Sequence, residues 1–245
     1  VTLIGGTLAA GGANAINMYI DRDIDKLMVR TQNRPLVTGV LTPRAAMIFA
    51  IVLEILAFLV LWAGANLLAA VLAVSATLFY VFVYSLWLKR TSKQNIVIGG
   101  AAGAMPVLVG WAAVTNSLGW APVVLFVVIF LWTPPHFWAL AIRYADEYKA
   151  AGVPMMPVVV SLERTVRSMT AYAVLLTIST LVLIPVASLG WIYGITALVF
   201  GVAFVIGSVR LGSDPSPKRS MRLFTFSITY VTAVFVALTV DVLLR

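Results

Sequence analysis

Cysteine is absent from this chain, histidine occurs once, and acidic residues number only nine. The first absence excludes disulfides and thiolate metal sites, and the second excludes a multi-histidine centre, so any metal must be held by oxygen. Charged residues make up 11% of the 245 positions and hydrophobic ones 62%, with a mean hydropathy of +1.03. No soluble domain has that balance, and the chain reads as an all-α membrane protein. The net charge of +8 does not point to a nucleic-acid partner, because the basic residues are confined to short loops between hydrophobic runs, where they set topology.

Apolar segments long enough to cross a bilayer, roughly 17 to 25 residues each, lie near 1–20, 44–63, 66–88, 96–115, 120–142, 168–188, 190–210 and 222–243. Sixteen of the seventeen basic residues fall in four loops that an alternating path puts on one side, around 21–44, 89–94, 143–167 and 210–222. The positive-inside rule assigns that side to the cytoplasm, as in a bacterial inner membrane. Only Arg245 is outside. Residue 1 then begins on the far side, inside a hydrophobic run, so a preceding helix is expected and the whole of 1–245 reads as one membrane domain lacking its first helix. Six of the nine acids, Asp21, Asp23, Asp25, Asp146, Glu147 and Glu163, lie in the two long cytoplasmic loops. Long loops that are not low-complexity carry function, so the working face is expected there.

If the first helix runs past residue 20, Asn17, Asp21 and Asp25 recur every four residues and form one stripe, drifting only about 40° per step. Arg22, Lys26, Arg30 and Arg34 repeat the spacing and lay a basic stripe beside it until Pro35, which is expected to end the helix. Asp23 points away and pairs with a neighbouring arginine. Two carboxylates and an amide suit a hard cation such as Mg²⁺, which leaves coordination positions for substrate phosphates. Arginine and lysine beside them supply donors for phosphate oxygens. A metal-bridged diphosphate is the expected ligand, against the plainer reading of a solvated, salt-bridged juxtamembrane helix.

The string ANAINMYIDRDIDKLMVRTQNRPL at 13–36 resembles the first aspartate-rich motif of the UbiA superfamily of intramembrane prenyltransferases, in its branch that farnesylates protoheme IX. LKRTSKQNIVIGGAAGAMPVLVGWAAVT at 88–115, PHFWALAIRYADEYKAAGVPMMPVV at 135–159 and RLFTFSITYVTAVFVALTVD at 222–241 agree, so the resemblance spans nearly the whole chain. It implies a nine-helix bundle around a cavity capped by the cytoplasmic loops, of which this chain carries eight. It also implies transfer of the farnesyl group of farnesyl diphosphate to a vinyl group of heme B, giving heme O and diphosphate, with Mg²⁺ on Asn17, Asp21 and Asp25. A heme-modifying or oxidase-assembly protein is a candidate partner. The superfamily's second aspartate motif is incomplete: Asp146 and Glu147 are present but position 150 is alanine. The segment instead matches a D-x-Y pattern through Asp146 and Tyr148, followed by Gly152 to Pro157. Asp146 remains a candidate ligand, with Arg143 and Lys149 as diphosphate contacts.

Several residues keep two readings. His136, next to a Pro134–Pro135 break, is either an axial ligand for heme iron or a packing histidine bonded to a carbonyl that the prolines release. Lys89, Arg90 and Lys93 are explained by positive-inside anchoring, and the resemblance raises Lys89 and Arg90 as diphosphate or heme-propionate partners. Trp132, Phe137, Trp138, Tyr144 and Tyr148 either face an allylic cation or form an interfacial aromatic belt. Glu54, mid-helix, must be neutral, paired or cavity-facing, whereas Asp241 near the outer end simply reaches water. A prenyltransferase for an aromatic or quinone precursor would need the complete second motif. A secondary transporter would hold its ligands near the midplane on broken helices.

Overall fold

The computed structural model describes residues 1–214 and 216–244, so Arg245, the basic residue expected outside the four loops, lies outside the described residues. Among the described residues the elements are α1 (Thr2–Ile20), α2 (Arg22–Asp25), α3 (Pro35–Thr38), α4 (Pro43–Gly64) and α5 (Leu67–Leu78), which continues through a π-helical stretch (Phe79–Leu88) into α6 (Lys89–Thr91). There follow α7 (Asn95–Thr115), α8 (Trp120–Arg143), α9 (Ala145–Ala150), α10 (Met156–Val159), α11 (Leu162–Val186), α12 (Trp191–Ser213) and α13 (Pro217–Leu243). Long helices stand where each apolar segment was read. Seven of these spans are long and apolar enough to cross a membrane. The remaining one, α1, has 19 residues and is diluted by Gly5, Gly6, Gly11, Gly12, Asn14 and Asn17. The chain is a multi-pass integral membrane protein with large apolar side chains such as Phe49, Ile55, Phe82 and Val199 exposed along the spans, as a hydrocarbon solvent allows.

Two boundaries move outward from the hydropathy reading. Helix α11 starts at Leu162 and α13 at Pro217 because Ser161 and Ser216 accept the backbone N–H of Arg164 and Arg219 at 3.3 and 3.4 Å. An N-cap, not the first apolar residue, sets where a helix begins. The expected break at Pro134–Pro135 is also absent: α8 runs through both prolines without interruption.

The described chain forms two compact units. The first comprises Val1–Leu118 with Asp146–Pro154. Here α1 packs on α4 through small residues, with Gly5, Ala9 and Gly12 buried one turn apart, the pattern that lets helix backbones approach in a membrane. A Cβ on Gly12 would lie 2.6 Å from a Glu54 carboxylate oxygen, so that glycine makes room for an acid inside the membrane. Glu54 is half-buried, accepts from the Thr77 hydroxyl at 3.2 Å and lines a cavity of about 460 Å³, so it is both paired and cavity-facing. Asn66 ties the start of α5 to the end of α7: its side-chain carbonyl accepts from Ala69 N (2.9 Å) and its amide donates to the Ala112 carbonyl at 2.7 Å.

The second unit comprises Gly119–Ala145 with Met155 onward. Helix α8 packs on α11, α11 on α12, α12 on α13, and α13 returns to α8, closing a four-helix ring. Its core holds Trp138, Met169, Leu176, Tyr193, Phe204 and Tyr230, all nearly inaccessible. The two tyrosine hydroxyls are satisfied inside it, Tyr193 donating to the Thr180 carbonyl at 3.0 Å and Tyr230 sharing a bond with the Thr180 hydroxyl at 2.6 Å. Asp241 does not reach water. It is 4% exposed and accepts the backbone N–H of Gly190 (2.6 Å) and Tyr193 (3.3 Å), a carboxylate lent by α13 to the positive end of α12.

Gly201 of α12 gives a direct check on this packing, since a Cβ there would sit 2.5 Å from Thr177 Cγ2, whereas nothing lies within 4 Å of one on Gly110. Gly201→Leu is expected to cost about 1–3 kcal/mol by overpacking and to lower the thermal unfolding midpoint in detergent. Gly110→Ala should leave that midpoint unchanged or raise it, because alanine is the better helix former.

Candidate functional site

The end of α1 carries the acid stripe, and its helical bonding outlasts the helix proper. The Asp21 N–H donates to the Asn17 carbonyl at 2.9 Å and the Asp25 N–H to the Asp21 carbonyl at 2.8 Å, so the three residues stay in phase. All three side chains are buried, Asn17 at 7%, Asp21 at 0% and Asp25 at 3% exposure. The basic stripe does not persist: regular helix stops at Asp25, and Arg30 lies in irregular turns. Pro35 does not end a helix but opens α3 at its first turn, where a missing N–H costs nothing and φ is already helical.

Across from α1 stands the end of the α5–α6 span. Ser85 donates to Asn17 Oδ1 at 2.9 Å, and Lys89 pairs with Asp21 Oδ2. Ser85 and Lys89 are four residues apart, as are Asn17 and Asp21, so two helices meet rung by rung. The π-helical stretch at Phe79–Leu88 leads into this ladder, and π geometry is frequent at functional sites. Ser85 is a site residue that the motif reading missed. Its signal is the Ser85-x-x-x-Lys89 spacing that mirrors the acid motif.

Asp23 turns outward as expected, but its arginine comes from another helix: Arg90 grips it with two bonds of 2.7 and 2.8 Å and also donates to the Ile20 carbonyl at 3.0 Å. That guanidinium holds the Asp23 carboxyl well below the usual carboxylate range. A lowered folded pKa means the pair stabilises the fold above about pH 4, the unfolded value, and loses that contribution only as acid takes the pH through the lower folded value. Arg34 reaches back to Asp25 at 2.6 Å, and the Thr31 hydroxyl donates to the Asp25 carbonyl at 3.0 Å. Arg22 folds over the Tyr19 ring, 4.6 Å from its centroid, and donates to the Tyr19 carbonyl at 2.7 Å. Lys26 and Arg30 are exposed.

Asp146 and Lys149 lie on α9, in the same unit as the ladder, and both are exposed, while Arg143 is exposed at the end of α8 over the Tyr144 ring. Among the described residues no three histidine or acidic side chains gather into a preformed metal cage. Four buried atoms of the first unit have no hydrogen bond, namely Asp21 Oδ1, which lies 3.8 Å from an Arg90 nitrogen, both atoms of the Asn95 amide, and Glu147 Oε2, against two in the second, Trp138 Nε1 and Ser208 Oγ. Asn95 is fully inaccessible at the start of α7. Such atoms cost about 1–3 kcal/mol each and point to a ligand that would satisfy them.

In the second unit His136 lies between Trp132 and Phe224, with ring centroids at 4.2 and 4.4 Å, while Phe137 presents its edge at 5.1 Å. Its Nδ1 is 2.6 Å from the Ser227 hydroxyl, which itself donates to the Phe224 carbonyl at 2.6 Å. A carbonyl only accepts, so Ser227 commits its proton there and Nδ1 must be the donor. The Nε2 lone pair is left for a ligand. The partner is a hydroxyl and not a carbonyl released by the prolines. Within the aromatic cluster Trp132 donates to the Ser227 carbonyl at 2.8 Å and Trp138 is buried edge-on to Tyr172 at 5.6 Å, so these two are packed, whereas Phe137 is 37% exposed. Exposed tryptophans near helix ends, Trp62, Trp87, Trp120 and Trp191, occupy belt positions.

Fold and site define a polytopic intramembrane enzyme whose polar chemistry is concentrated at the end of one helix. The chain belongs to the UbiA prenyltransferase family, whose profile matches residues 1–234. It is 52% identical to the protoheme IX farnesyltransferase of Frankia casuarinae, covering 99% of this chain and 85% of that protein. Identity to the protoheme IX farnesyltransferase of Gloeobacter violaceus is 53%, over 98% of this chain and 79% of that one. The fold is also that of a UbiA homolog from Archaeoglobus fulgidus bound to GPP and Mg²⁺, with a TM-score of 0.64 at 18% identity over 97% of this chain and 88% of that one.

The two ion pairs on Asp21 and Asp23 should separate cleanly. Asp21→Asn strands the Lys89 ammonium beside a buried amide and is expected to cost about 1–3 kcal/mol, the penalty of a partly buried pair losing one member. Asp23→Asn breaks an exposed pair and should cost under about 1 kcal/mol. Thermal unfolding in detergent near neutral pH reads both, and equal shifts would contradict the ladder.

Proposed function

We propose that the chain transfers the farnesyl group of farnesyl diphosphate to a vinyl group of heme B, giving heme O, with the ladder as the diphosphate site and its mouth on the cytoplasmic side. The observation that carries this is the buried Asp21 carboxylate with one oxygen that accepts no hydrogen bond, in a chain about half identical to protoheme IX farnesyltransferases.

The donor set fits Mg²⁺: it is all oxygen, and two carboxylates with an amide match an ion that takes its other ligands from water and substrate phosphate. Asn17, Asp21 and Asp25 would hold it, with Asp146 joining from the second loop. When bound, the ion supplies charge neutralisation for the departing diphosphate. The chain's own cations share that task, and Lys89, Arg90, Arg22, Lys26, Arg30, Arg143 and Lys149 are the proposed contacts to diphosphate oxygens. As the C1–O bond breaks, its electron pair leaves with diphosphate. C1 then bonds the terminal vinyl carbon, and water adds to the adjacent carbon with loss of a proton, giving the hydroxyethylfarnesyl group. The allylic cation has to be kept from water until it meets the vinyl group. His136, held by Ser227 with Nε2 available, is the proposed ligand for the heme iron.

Membranes holding the protein, incubated with heme B, farnesyl diphosphate and Mg²⁺, should yield heme O by mass. Absence of that product together with prenylation of a hydroxybenzoate would move the acceptor to the aromatic class. Asp21→Ala and Asp25→Ala should each lower turnover at least about 10²-fold, the scale of losing a charge-stabilising group, with folded protein retained on gel filtration. For His136→Ala a spectroscopic heme titration should show about tenfold weaker binding and a changed Soret band. An unchanged titration would make His136 a packing residue.

A further inference from the structure

The cavity of about 460 Å³ that Glu54 lines is a crevice in the side of the first unit. Helix α1 contributes Ile16, Tyr19 and Ile20, α4 contributes Glu54, and the span from α5 into the π-helical stretch contributes a run between Val74 and Leu86, up to about 18 Å long. Along that run Leu78, Phe82 and Leu86 are each about half exposed, so the crevice opens where an integral membrane protein meets lipid. It is separate from the ladder: a larger cavity of about 600 Å³ lies on the ladder's side of α1, and Thr77 alone lines both.

The crevice wall is apolar except for Tyr19 at one end and the Glu54–Thr77 pair at the other. Glu54 is the twelfth of 22 residues in α4, about 16 Å from the first, which is half the roughly 30 Å thickness of a bilayer core. A carboxyl group at that depth is costly and marks a functional site by default. A smaller side chain would pack more simply, since a Cβ on Gly12 would lie 2.6 Å from this carboxylate. Two protein donors lie against the carboxyl, the Thr77 hydroxyl at 3.2 Å and the Ala13 N–H, whereas its two oxygens offer about four acceptor positions. The described lining holds no lysine or arginine. Acceptor capacity is therefore left over, in a place that a lipid-soluble donor can reach.

We infer that this crevice binds a lipid-soluble long-chain alcohol, its hydroxyl donating to Glu54 and its chain lying along Val81, Phe82 and Leu86. An ammonium head is the other donor that a carboxylate would take, but its charge keeps it at the bilayer surface, about 16 Å from Glu54. A phospholipid holds its polar groups at that surface too, and its acyl end would bring only methyl groups to the acid. A hydroxyl is neutral, reaches mid-bilayer on an apolar chain, and costs free energy there until it finds an acceptor. C–C bonds of about 1.5 Å, shortened by their angles, extend a ten-carbon chain about 11 Å, which fits within the run from Val74 to Leu86. Ile16 and Ile20 belong to the same turns of α1 as Asn17 and Asp21, so the occupant rests against the back of the ladder's helix.

The test places the protein in lipid nanodiscs with 1-decanol carrying a diazirine near its far end, or with the methyl ether of that alcohol, which has the same chain but no donor. After illumination, peptide mass mapping reads where each is attached. The alcohol should label the segment around Phe82 and Leu86 at least tenfold more than the ether does. Glu54→Leu should bring the alcohol down to the ether's level, and Val74→Phe should lower labelling by filling the polar end. Glu54→Gln keeps an acceptor and should retain most of the labelling. Equal labelling by alcohol and ether in the wild type, a comparison that needs no substitution, would overturn the inference and leave the crevice to acyl chains. So would undiminished labelling of Glu54→Leu protein that keeps the wild-type unfolding midpoint. Labelling confined to the segment around Val74 would also overturn it, because the chain would then run the other way, with its hydroxyl at Tyr19.

Discussion

The structure depends on one constraint: a carboxylate removed from water must meet a positive charge or a donor. Asp21 is wholly buried, and what makes that tolerable is the Lys89 ammonium on the facing helix. The Asn17–Ser85 bond one turn away has the same geometry between neutral groups. Together they lock the end of α1 to the α5–α6 span in one register, since a slip of a single residue would rotate Asp21 about 100° off its partner. The same logic recurs within the second unit, where the Asp241 carboxylate ends on the backbone N–H groups that open α12. Each unit is thus fixed by an acid whose partner lies on a different helix.

Close approach is what makes such cross-helix pairs reachable. Gly5 and Gly12 bring α1 against α4, leaving its opposite side to the acid stripe and the cavity. Among the described residues α1 is the one long helix that falls short of a membrane span by apolar content, because its surface is divided between a small-residue contact and a polar edge.

Much of this was readable from the chain alone. Long apolar runs declared the helices because hydropathy is a local property, and the four-residue acid spacing declared a shared face because helical phase is local too. Cross-helix partners were not readable. Nothing near Asp241 names Gly190 as its donor, and nothing near Asp23 singles out Arg90 over Arg22. Helix ends also escaped, since Ser161 and Ser216 cap from polar segments that hydropathy assigns to loops, and Pro35 reads equally well as the stop of one helix or the first turn of another. His136 was singled out because it is solitary, but its tautomer follows only from Ser227, ninety-one residues away in sequence.

Charge counting across the ladder explains why so many cations surround so few acids. Asp21, Asp23 and Asp25 are met by Lys89, Arg90 and Arg34, so the three acids and three bases cancel. A neutral cluster exerts no long-range pull on a multiply charged anion, and in the proposed function that pull has to come from cations outside the cancellation. Lys26 and Arg30 meet this requirement, exposed on the segment between Asp25 and Arg34. Lys149, exposed on the segment of the second loop that shares the ladder's unit, adds to them. In the proposed function the arrangement divides the work: inner cations pair with the buried carboxylates and fix their positions, and outer ones would raise the local concentration of diphosphate at the ladder.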